Sequence, residues 1–217
     1  MNSRMYYPLA IVVLMFLLGI YLYPQLPAEV PTHWNAQGEI DDYSSREIAV
    51  FLIPAISLFV YAIFLAIPRI AVFKRNVDDF YSNAGPGFFT IFMLFMFGVY
   101  AFSLLAGLGY ELSMTYFVIP ALALLFGYMG YIMPTMKRNY FIGIRTPWTL
   151  SSDRVWKKTH EMGGKVFMGA GLLMLLTLLV PDYAFWSSII LIVAAALWTM
   201  VYSYLEFARE KRGRRKH

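Results

Sequence analysis

Long apolar runs alternate with short polar segments along most of this 217-residue chain. Six runs carry almost no charge and approach the ~20 residues that a helix needs to cross a bilayer. They lie at about Tyr6–Tyr23, Ile48–Pro68, Phe88–Gly107, Met114–Met133, Gly163–Val180 and Phe185–Leu205. Because backbone groups in hydrocarbon must be hydrogen-bonded within the protein, the pattern predicts six transmembrane helices and an all-α polytopic membrane fold.

The composition supports this class. Hydrophobic residues make up 59% of the chain and charged residues 14%, whereas about a quarter of a soluble domain is charged. The chain has no cysteine, which excludes disulfides, thiolate metal sites and a cysteine nucleophile.

The distribution of basic residues predicts the orientation. With both termini in the cytoplasm, 17 of the 18 Lys and Arg residues fall on the cytoplasmic side, and only Arg46 lies outside. This favours a multi-pass membrane protein. We expect it in a bacterial or archaeal plasma membrane. The basic tail 211–216 then lies beside anionic membrane lipids, so the net charge of +5 does not indicate direct nucleic-acid binding.

The predicted spans have no ionisable residue near their middle. Lys165 and Glu206 lie at span ends, where long side chains can reach polar surroundings. Ion-coupled transporters place such groups at depth, so the pattern argues against a charge-coupled pump. We divide the chain into three parts. Residues 1–68 contain two spans and an external loop, and residues 69–133 contain two further spans. Residues 134–217 contain a cytoplasmic motif, the last two spans and the tail.

The external loop between the first two spans is a candidate binding region. Three prolines keep its first part extended, and residues 35–38 form a turn. The candidate ligand-facing residues are His33, Trp34, Asn35, Gly38, Asp41 and Asp42. Two interpretations remain open: a metal site at His33, or an ordered cap in which His33 bonds a loop carbonyl and Trp34 packs at the interface. Peptide binding is compatible with either.

The segment 137–164 is a polar stretch between two long apolar runs. From Asp153 its pattern predicts an amphipathic juxtamembrane helix that lies in the membrane interface and bends at Gly163 and Gly164 into the fifth span. An interfacial anchor accounts for Trp148 and Trp156. It accounts less well for the remaining polar residues of the motif, namely Asn139, Gly143, Arg145, Thr146 and His160.

These residues carry a family resemblance. The stretch NYFIGIRTPWTLSSDRVWKKTHEMGG resembles the motif of the SdpI family of bacterial membrane proteins, and PTHWNAQGEIDDYSSRE resembles an uncharacterised N-terminal module often fused to it. The resemblance implies a six-span protein. The family's best-known member confers immunity against an extracellular peptide toxin and retains a cytoplasmic repressor at the membrane. The resemblance implies the same two roles here.

If that function transfers, the external residues face the toxin and the cytoplasmic motif binds the partner protein. The partner-binding candidates are Asn139, Gly143, Arg145, Thr146, Pro147, Trp148, Trp156 and His160. We expect binding without catalysis, cofactor or metal. The alternative is a membrane enzyme or permease for a lipid or small amphiphile, with Arg145 binding phosphate and His160 acting as acid or base.

Overall fold

Eight α-helices and one β-hairpin form the computed structural model, which describes residues 3–214. In chain order they are α1 (Tyr6–Leu22), β1 (Glu29–Trp34), β2 (Ile40–Ser45), α2 (Arg46–Ile70), α3 (Lys74–Asn83), α4 (Gly85–Gly107), α5 (Met114–Ile132), α6 (Pro147–Ser151), α7 (Asp153–Thr177) and α8 (Pro181–Arg214). The last part of the predicted lipid-facing tail, residues 215–217, lies outside the described residues.

Within the described residues, five helical segments are long and apolar enough to cross a membrane. They are Ser3–Gln25, Arg46–Ile70, Gly85–Gly107, Met114–Thr135 and Pro181–Gly213, and they contain α1, α2, α4, α5 and α8. The predicted fifth span overlaps the second half of α7 and runs three residues past its end, and the first half of α7 carries charged residues from Asp153 to Lys165. The structure therefore supports a helical polytopic membrane protein, and the predicted fifth span, the total of six spans and the orientation of the termini stay predictions.

The helices expose apolar side chains and bury polar ones. Leu17, Phe59 and Ile190 are 60%, 67% and 66% exposed, whereas Ser57 and Ser203 are fully buried. In water this arrangement would leave large apolar patches exposed, but in a bilayer the same surface faces lipid. The protein is accordingly a multi-pass membrane protein.

The long helices run in alternating directions, so the hairpin and the polar motif lie at opposite ends of the molecule. We call these the hairpin end and the motif end. Helices α1, α2 and α4 pack together beside the hairpin, and α5, α7 and α8 form a second group joined to the first through α4 and α5. The predicted division into three parts stays a prediction.

The external loop is a β-hairpin, which an all-α fold did not include. Extended residues around Pro31 pair with Ile40–Ser45 in antiparallel register. The Asn35 side-chain oxygen accepts hydrogen bonds from the backbone N–H groups of Gln37 and Glu39, at 2.9 and 3.0 Å. Gly38 has φ +83°, a conformation that glycine adopts without strain. The loop thus closes through its own side chain and a left-handed glycine.

Helix α7 also differs from the prediction, because one uninterrupted helix includes both the polar segment and Gly163 and Gly164. A Cβ atom at Gly164 would lie 2.6 Å from the Gly130 carbonyl oxygen of α5, so these glycines let the two helices touch. The polar first half of α7 packs within the protein, and Trp156 is only 2% exposed. Trp156 therefore packs inside the protein and not at headgroup level as expected, whereas the position of this helix relative to the membrane stays a prediction.

A short helix, α3, was missed in the sequence. Tyr81 of α3 donates a hydrogen bond to the Phe64 carbonyl of α2 at 2.6 Å. Asn76 donates to the Arg138 carbonyl at 2.7 Å, and the rings of Phe73 and Tyr140 stack 5.3 Å apart. The segment after α2 is therefore part of the motif end and connects the two groups of helices there.

Candidate functional site

The hairpin brings together the predicted external residues. The His33 Nδ1 atom donates to the Asp41 carboxylate at 2.6 Å, so its partner is an acidic side chain and not the expected loop carbonyl. Asp42 accepts a bond from the backbone N–H of Tyr43 at 2.8 Å. Both carboxylates are exposed on β2. The hairpin therefore presents an acidic strand held in register by the His33–Asp41 pair.

A cavity of about 240 Å³ lies beneath the hairpin, between β1 and the ends of α4, α5 and α8. Four of the six predicted external residues line it: His33, Trp34, Asn35 and Gly38. The other lining residues were missed in the sequence. Two belong to the hairpin, Thr32 and Ala36, and the rest come from distant helices: Val99, Met114, Thr115, Val118, Ile119 and Phe185. The cavity is mainly apolar, with polar groups from the hairpin and from Thr115 of α5.

At the motif end, Asn139 organises the first turn of the family motif. Its side-chain oxygen accepts from the backbone N–H groups of Phe141 and Ile142 at 2.8 and 2.7 Å, and its amide donates to the Lys137 carbonyl at 2.9 Å. Asn139 is 1% exposed. A buried amide with several partners fixes a backbone conformation, so the role of Asn139 in the structure is to hold this turn.

His160 supports the same turn from α7. Its Nδ1 donates to the Trp156 carbonyl at 2.8 Å, and its Nε2 accepts from the Ile144 backbone N–H at 3.0 Å. The ring is 0% exposed, and burial lowers the pKa of His160 to about 4. Gly143 has φ +107°, and a Cβ atom there would overlap His160 Nε2. The imidazole is therefore neutral at physiological pH and is fitted against a glycine.

This geometry gives no support to a catalytic His160. A general acid or base needs a nitrogen within reach of the substrate, and both nitrogens of this ring are bonded inside the protein. Trp156 is likewise held, since its ring stacks on His160 at 4.1 Å and its Nε1 donates to the Met136 carbonyl at 2.7 Å.

The next residues of the motif start α6. The Thr146 side chain caps the helix by accepting from the Thr149 backbone N–H at 3.2 Å, and the Thr149 hydroxyl accepts in return from the Thr146 N–H at 2.9 Å. Pro147 occupies the first turn, where its missing N–H has no cost. The Thr146 hydroxyl lies 3.0 Å from the Ser203 hydroxyl, which fixes α6 against α8.

The eight predicted partner-binding residues thus divide into two sets. Asn139, Thr146, Trp156 and His160 are buried and hold the motif together. The accessible ones are Arg145 and Pro147, which are exposed, and Gly143 and Trp148, which are partly exposed. Only the accessible set is available for direct contact with another protein, and its binding role stays a prediction.

Two buried carboxylates at the motif end were not predicted. Glu206 is 3% exposed and lies 2.6 Å from Arg209 and 3.6 Å from Lys158 of α7. Glu210 accepts a hydrogen bond from the Ser152 hydroxyl at 2.6 Å. Glu206 therefore does not extend into the interface from a span end. The i,i+3 spacing of Glu206 and Arg209 was the available signal.

No group of three or more His, Asp or Glu side chains within residues 3–214 is arranged to hold a metal ion. At the hairpin, His33 contacts one carboxylate, that of Asp41.

Comparison with known proteins adds two matching families. Residues 135–203 match the SdpI/YfhL protein family, and residues 10–58 match a domain of unknown function, DUF1648. The first match contains the motif from Asn139 to His160, and the second contains the hairpin. No solved structure is significantly similar to this chain.

Among individual proteins, the immunity protein SdpI of Bacillus subtilis (strain 168) is 27% identical over 195 residues, which is 89% of this chain and 91% of the relative. An uncharacterized protein of Archaeoglobus fulgidus is 37% identical over 81 residues, which is 34% of this chain and 44% of that protein. These matches confirm the resemblance seen in the motif: residues 135–203 are similar to the SdpI/YfhL protein family, and most of the chain is similar to one immunity protein.

Proposed function

We propose that this chain is a membrane immunity protein that protects the cell by binding an extracellular peptide toxin in the cavity beneath the hairpin. The observation that carries the proposal is the convergence of His33, Trp34, Asn35 and Gly38 on one mainly apolar cavity of about 240 Å³. The relationship to an immunity protein supports it. Binding, without covalent chemistry, is the proposed mechanism.

The chemistry of the site indicates what it would accept. Aromatic and aliphatic lining, including Trp34 and Phe185, suits an apolar side chain of the peptide. The exposed carboxylates of Asp41 and Asp42 beside it suit a basic group. The proposed ligand is therefore a peptide segment that carries an apolar anchor next to a positive charge.

The test is survival of toxin-sensitive cells that express the protein and are exposed to the peptide toxin of the family's best-known member. Thr115→Trp fills the cavity, and His33→Ala and Asp41→Ala remove the pair at its edge; all three should reduce protection. Gln37→Ala is the matched control, because Gln37 lies in the same turn, is exposed and does not line the cavity. Protection that is unchanged in all three variants at equal membrane levels would refute the proposal.

For the cytoplasmic side, we propose that the accessible part of the motif binds a repressor protein. Arg145, Pro147 and Trp148 form this surface together with the exposed cations Arg154 and Lys157. A basic surface with a partly exposed tryptophan suits an acidic partner with an apolar contact. The buried residues Asn139, Thr146, Trp156 and His160 would act by positioning this surface.

Site-specific photocrosslinking in cells tests the second part. A photoreactive residue at Pro147 should crosslink a cytosolic protein when the toxin is added, and Arg145→Glu should abolish the crosslink by reversing the charge. Arg75→Glu is the control, since Arg75 is an exposed cation of α3 outside the proposed surface. A crosslink that survives Arg145→Glu, or no crosslink in the unmodified protein, would contradict the proposed partner surface.

A further inference from the structure

A second cavity, of about 310 Å³, lies at the motif end of the molecule. Helices α2 and α4 bound one side and α5 and α7 the other, while residues 141–144 of the family motif form its floor. The rings of Phe64 and Phe89 stack 4.2 Å apart in one wall, and Met129 and Met133 form part of the opposite wall. This cavity is separate from the one beneath the hairpin and has no assigned role.

The walls leave water almost nothing to bind. Among the described side chains that line the cavity, only Tyr81 carries a hydroxyl, and that hydroxyl already donates to the Phe64 carbonyl at 2.6 Å. A buried water needs two or more polar partners, and the side chains of these walls supply only this one hydroxyl, which is already bonded. An empty space of this size would forfeit the dispersion contacts of its lining. The cavity is therefore suited to an apolar occupant.

The cavity adjoins the lipid-facing surface. Helix α2 packs on α1, α3 and α4, and the cavity lies between α2 on one side and α5 and α7 on the other. Ile67 of α2 and Met129 of α5, which both line the cavity, are only partly buried. Ile63 and Ile70, on α2 near the cavity in sequence, are 44% and 66% exposed. The molecules present at high concentration along such a surface are the lipids of the bilayer.

The charge at this end selects among lipids. Arg145 is exposed and directly follows Ile144 of the cavity floor. Its Nη1 donates to the Tyr140 carbonyl at 2.6 Å, which holds the guanidinium beside the floor segment. A fixed cation next to an apolar cavity matches a phosphate group joined to an aliphatic chain, and basic groups near the membrane surface attract anionic lipids.

We propose that this cavity binds one acyl chain of an anionic phospholipid from the surrounding bilayer, with the headgroup at Arg145. The flexible, unbranched side chains of Met129 and Met133 can adjust to a chain of variable conformation. The bound lipid would contact the motif turn from below, so it would form part of the motif end of the molecule. The proposal does not depend on toxin binding at the hairpin.

The test uses the full-length protein in vesicles of phosphatidylcholine and phosphatidylglycerol. The probe is phosphatidylglycerol with a photoreactive diazirine near the end of one acyl chain, and crosslinked peptides are identified by mass spectrometry. We expect crosslinks to concentrate on residues 129–144 relative to the exposed apolar face of α8 around Ile190. Crosslinks spread evenly over both regions would overturn the proposal without any variant.

Two variants test the cavity directly. Ile67→Trp and Met129→Trp each fill it and should remove the crosslinks from residues 129–144. Leu172→Trp is the matched control, because it adds the same bulk to a residue of α7 that is 69% exposed and away from the cavity. Crosslinking that persists in both filled variants would overturn the proposal.

The same probe on phosphatidylcholine tests the headgroup. It should label residues 129–144 more weakly than the phosphatidylglycerol probe, and Arg145→Gln should remove this difference. Equal labelling by the two probes in the unmodified protein would overturn the assignment to an anionic lipid.

Discussion

Gly143 has a φ angle of +107°, and a Cβ atom at this position would overlap Nε2 of His160. A side chain here would strain the backbone and displace the imidazole that accepts the Ile144 N–H. The glycine and the histidine, 17 residues apart in the chain, therefore depend on each other.

We predict that Gly143→Ala lowers the free energy of unfolding by about 2 kcal/mol. Two costs add up: the strain of a non-glycine residue in the left-handed conformation, and the weakening of a buried hydrogen bond. Thermal unfolding in detergent measures it. Gly169→Ala in α7 is the control, because its Cβ would meet nothing within 4 Å, and it should leave the melting temperature unchanged or slightly higher. Equal melting temperatures for Gly143→Ala and the unmodified protein would contradict the prediction.

Protonation of His160 should destabilise the protein in mild acid. Its pKa is about 4 in the folded protein, because of burial, and 6.5 in an unfolded chain. Below pH 6.5 the unfolded state gains a proton that the folded state does not bind, so stability falls as the pH decreases from 6.5 to 4 and this contribution levels off below that. The full decrease in the free energy of unfolding is about 3 kcal/mol, because each unit of difference between the folded and unfolded pKa contributes ~1.4 kcal/mol.

The measurement is the unfolding temperature across that pH range for the unmodified protein and for His160→Gln. The variant should lack this part of the pH dependence, whereas His33→Ala, which changes an exposed histidine, should retain the part due to His160. Parallel curves for the unmodified protein and His160→Gln would show that the buried imidazole is not responsible.

At the scale of elements, the contact between α5 and α7 depends on paired glycines. A Cβ at Gly164 would lie 2.6 Å from the Gly130 carbonyl oxygen, and one at Gly130 would lie 2.5 Å from the Gly164 carbonyl oxygen. The helices approach at this point until their backbones touch. In lipid, where no hydrophobic force drives helices together, such close packing is a main source of helix association.

We predict that Gly164→Ala lowers the free energy of unfolding by about 2 kcal/mol, because an added methyl group forces the two backbones apart. Gly127→Ala is the matched control on α5, since its Cβ would meet nothing within 4 Å. Thermal unfolding in detergent compares the two. The prediction fails if both variants unfold at the same temperature.

The elements were predicted with uneven success, for a physical reason. Four long apolar helices lie close to their predicted bounds, because the hydrocarbon of a bilayer sets the length and composition of a helix that crosses it. Helix α8 contains the predicted sixth span but extends beyond it at both ends. The hairpin was read as an extended segment with a turn, and its strand pairing was missed, because pairing joins residues such as Thr32 and Ser44 that lie apart in the chain. Helix α3 was missed because it is short and polar, and its contacts with α2 and the motif stabilise it.

For the whole molecule, the arrangement of the ends carries the proposed division of function. The hairpin and the motif lie at opposite ends. The excess of Lys and Arg on the motif side predicts that this end faces the cytoplasm. A toxin site and a partner site then lie on opposite sides of the membrane.

Cysteine labelling tests this orientation cleanly, because the natural chain has no cysteine. Gln37→Cys, exposed in the hairpin turn, should react with a membrane-impermeant maleimide in intact cells. Lys157→Cys, exposed on α7 at the motif end, should react only after lysis. The reverse pattern would invert the topology and remove the basis for an extracellular toxin site at the hairpin.

The sequence by itself determined the membrane class, most of the helices and the family resemblance of the motif, because apolar run length and a local motif are written in consecutive residues. Only the tertiary structure decided which motif residues are buried supports and which are accessible. His160 is buried by the Ile144 turn, Thr146 by Ser203 of α8, and Glu206 pairs with Lys158. These partners come from distant parts of the chain. The burial of a motif residue depends on which segments pack together, so no local sequence pattern encodes that burial.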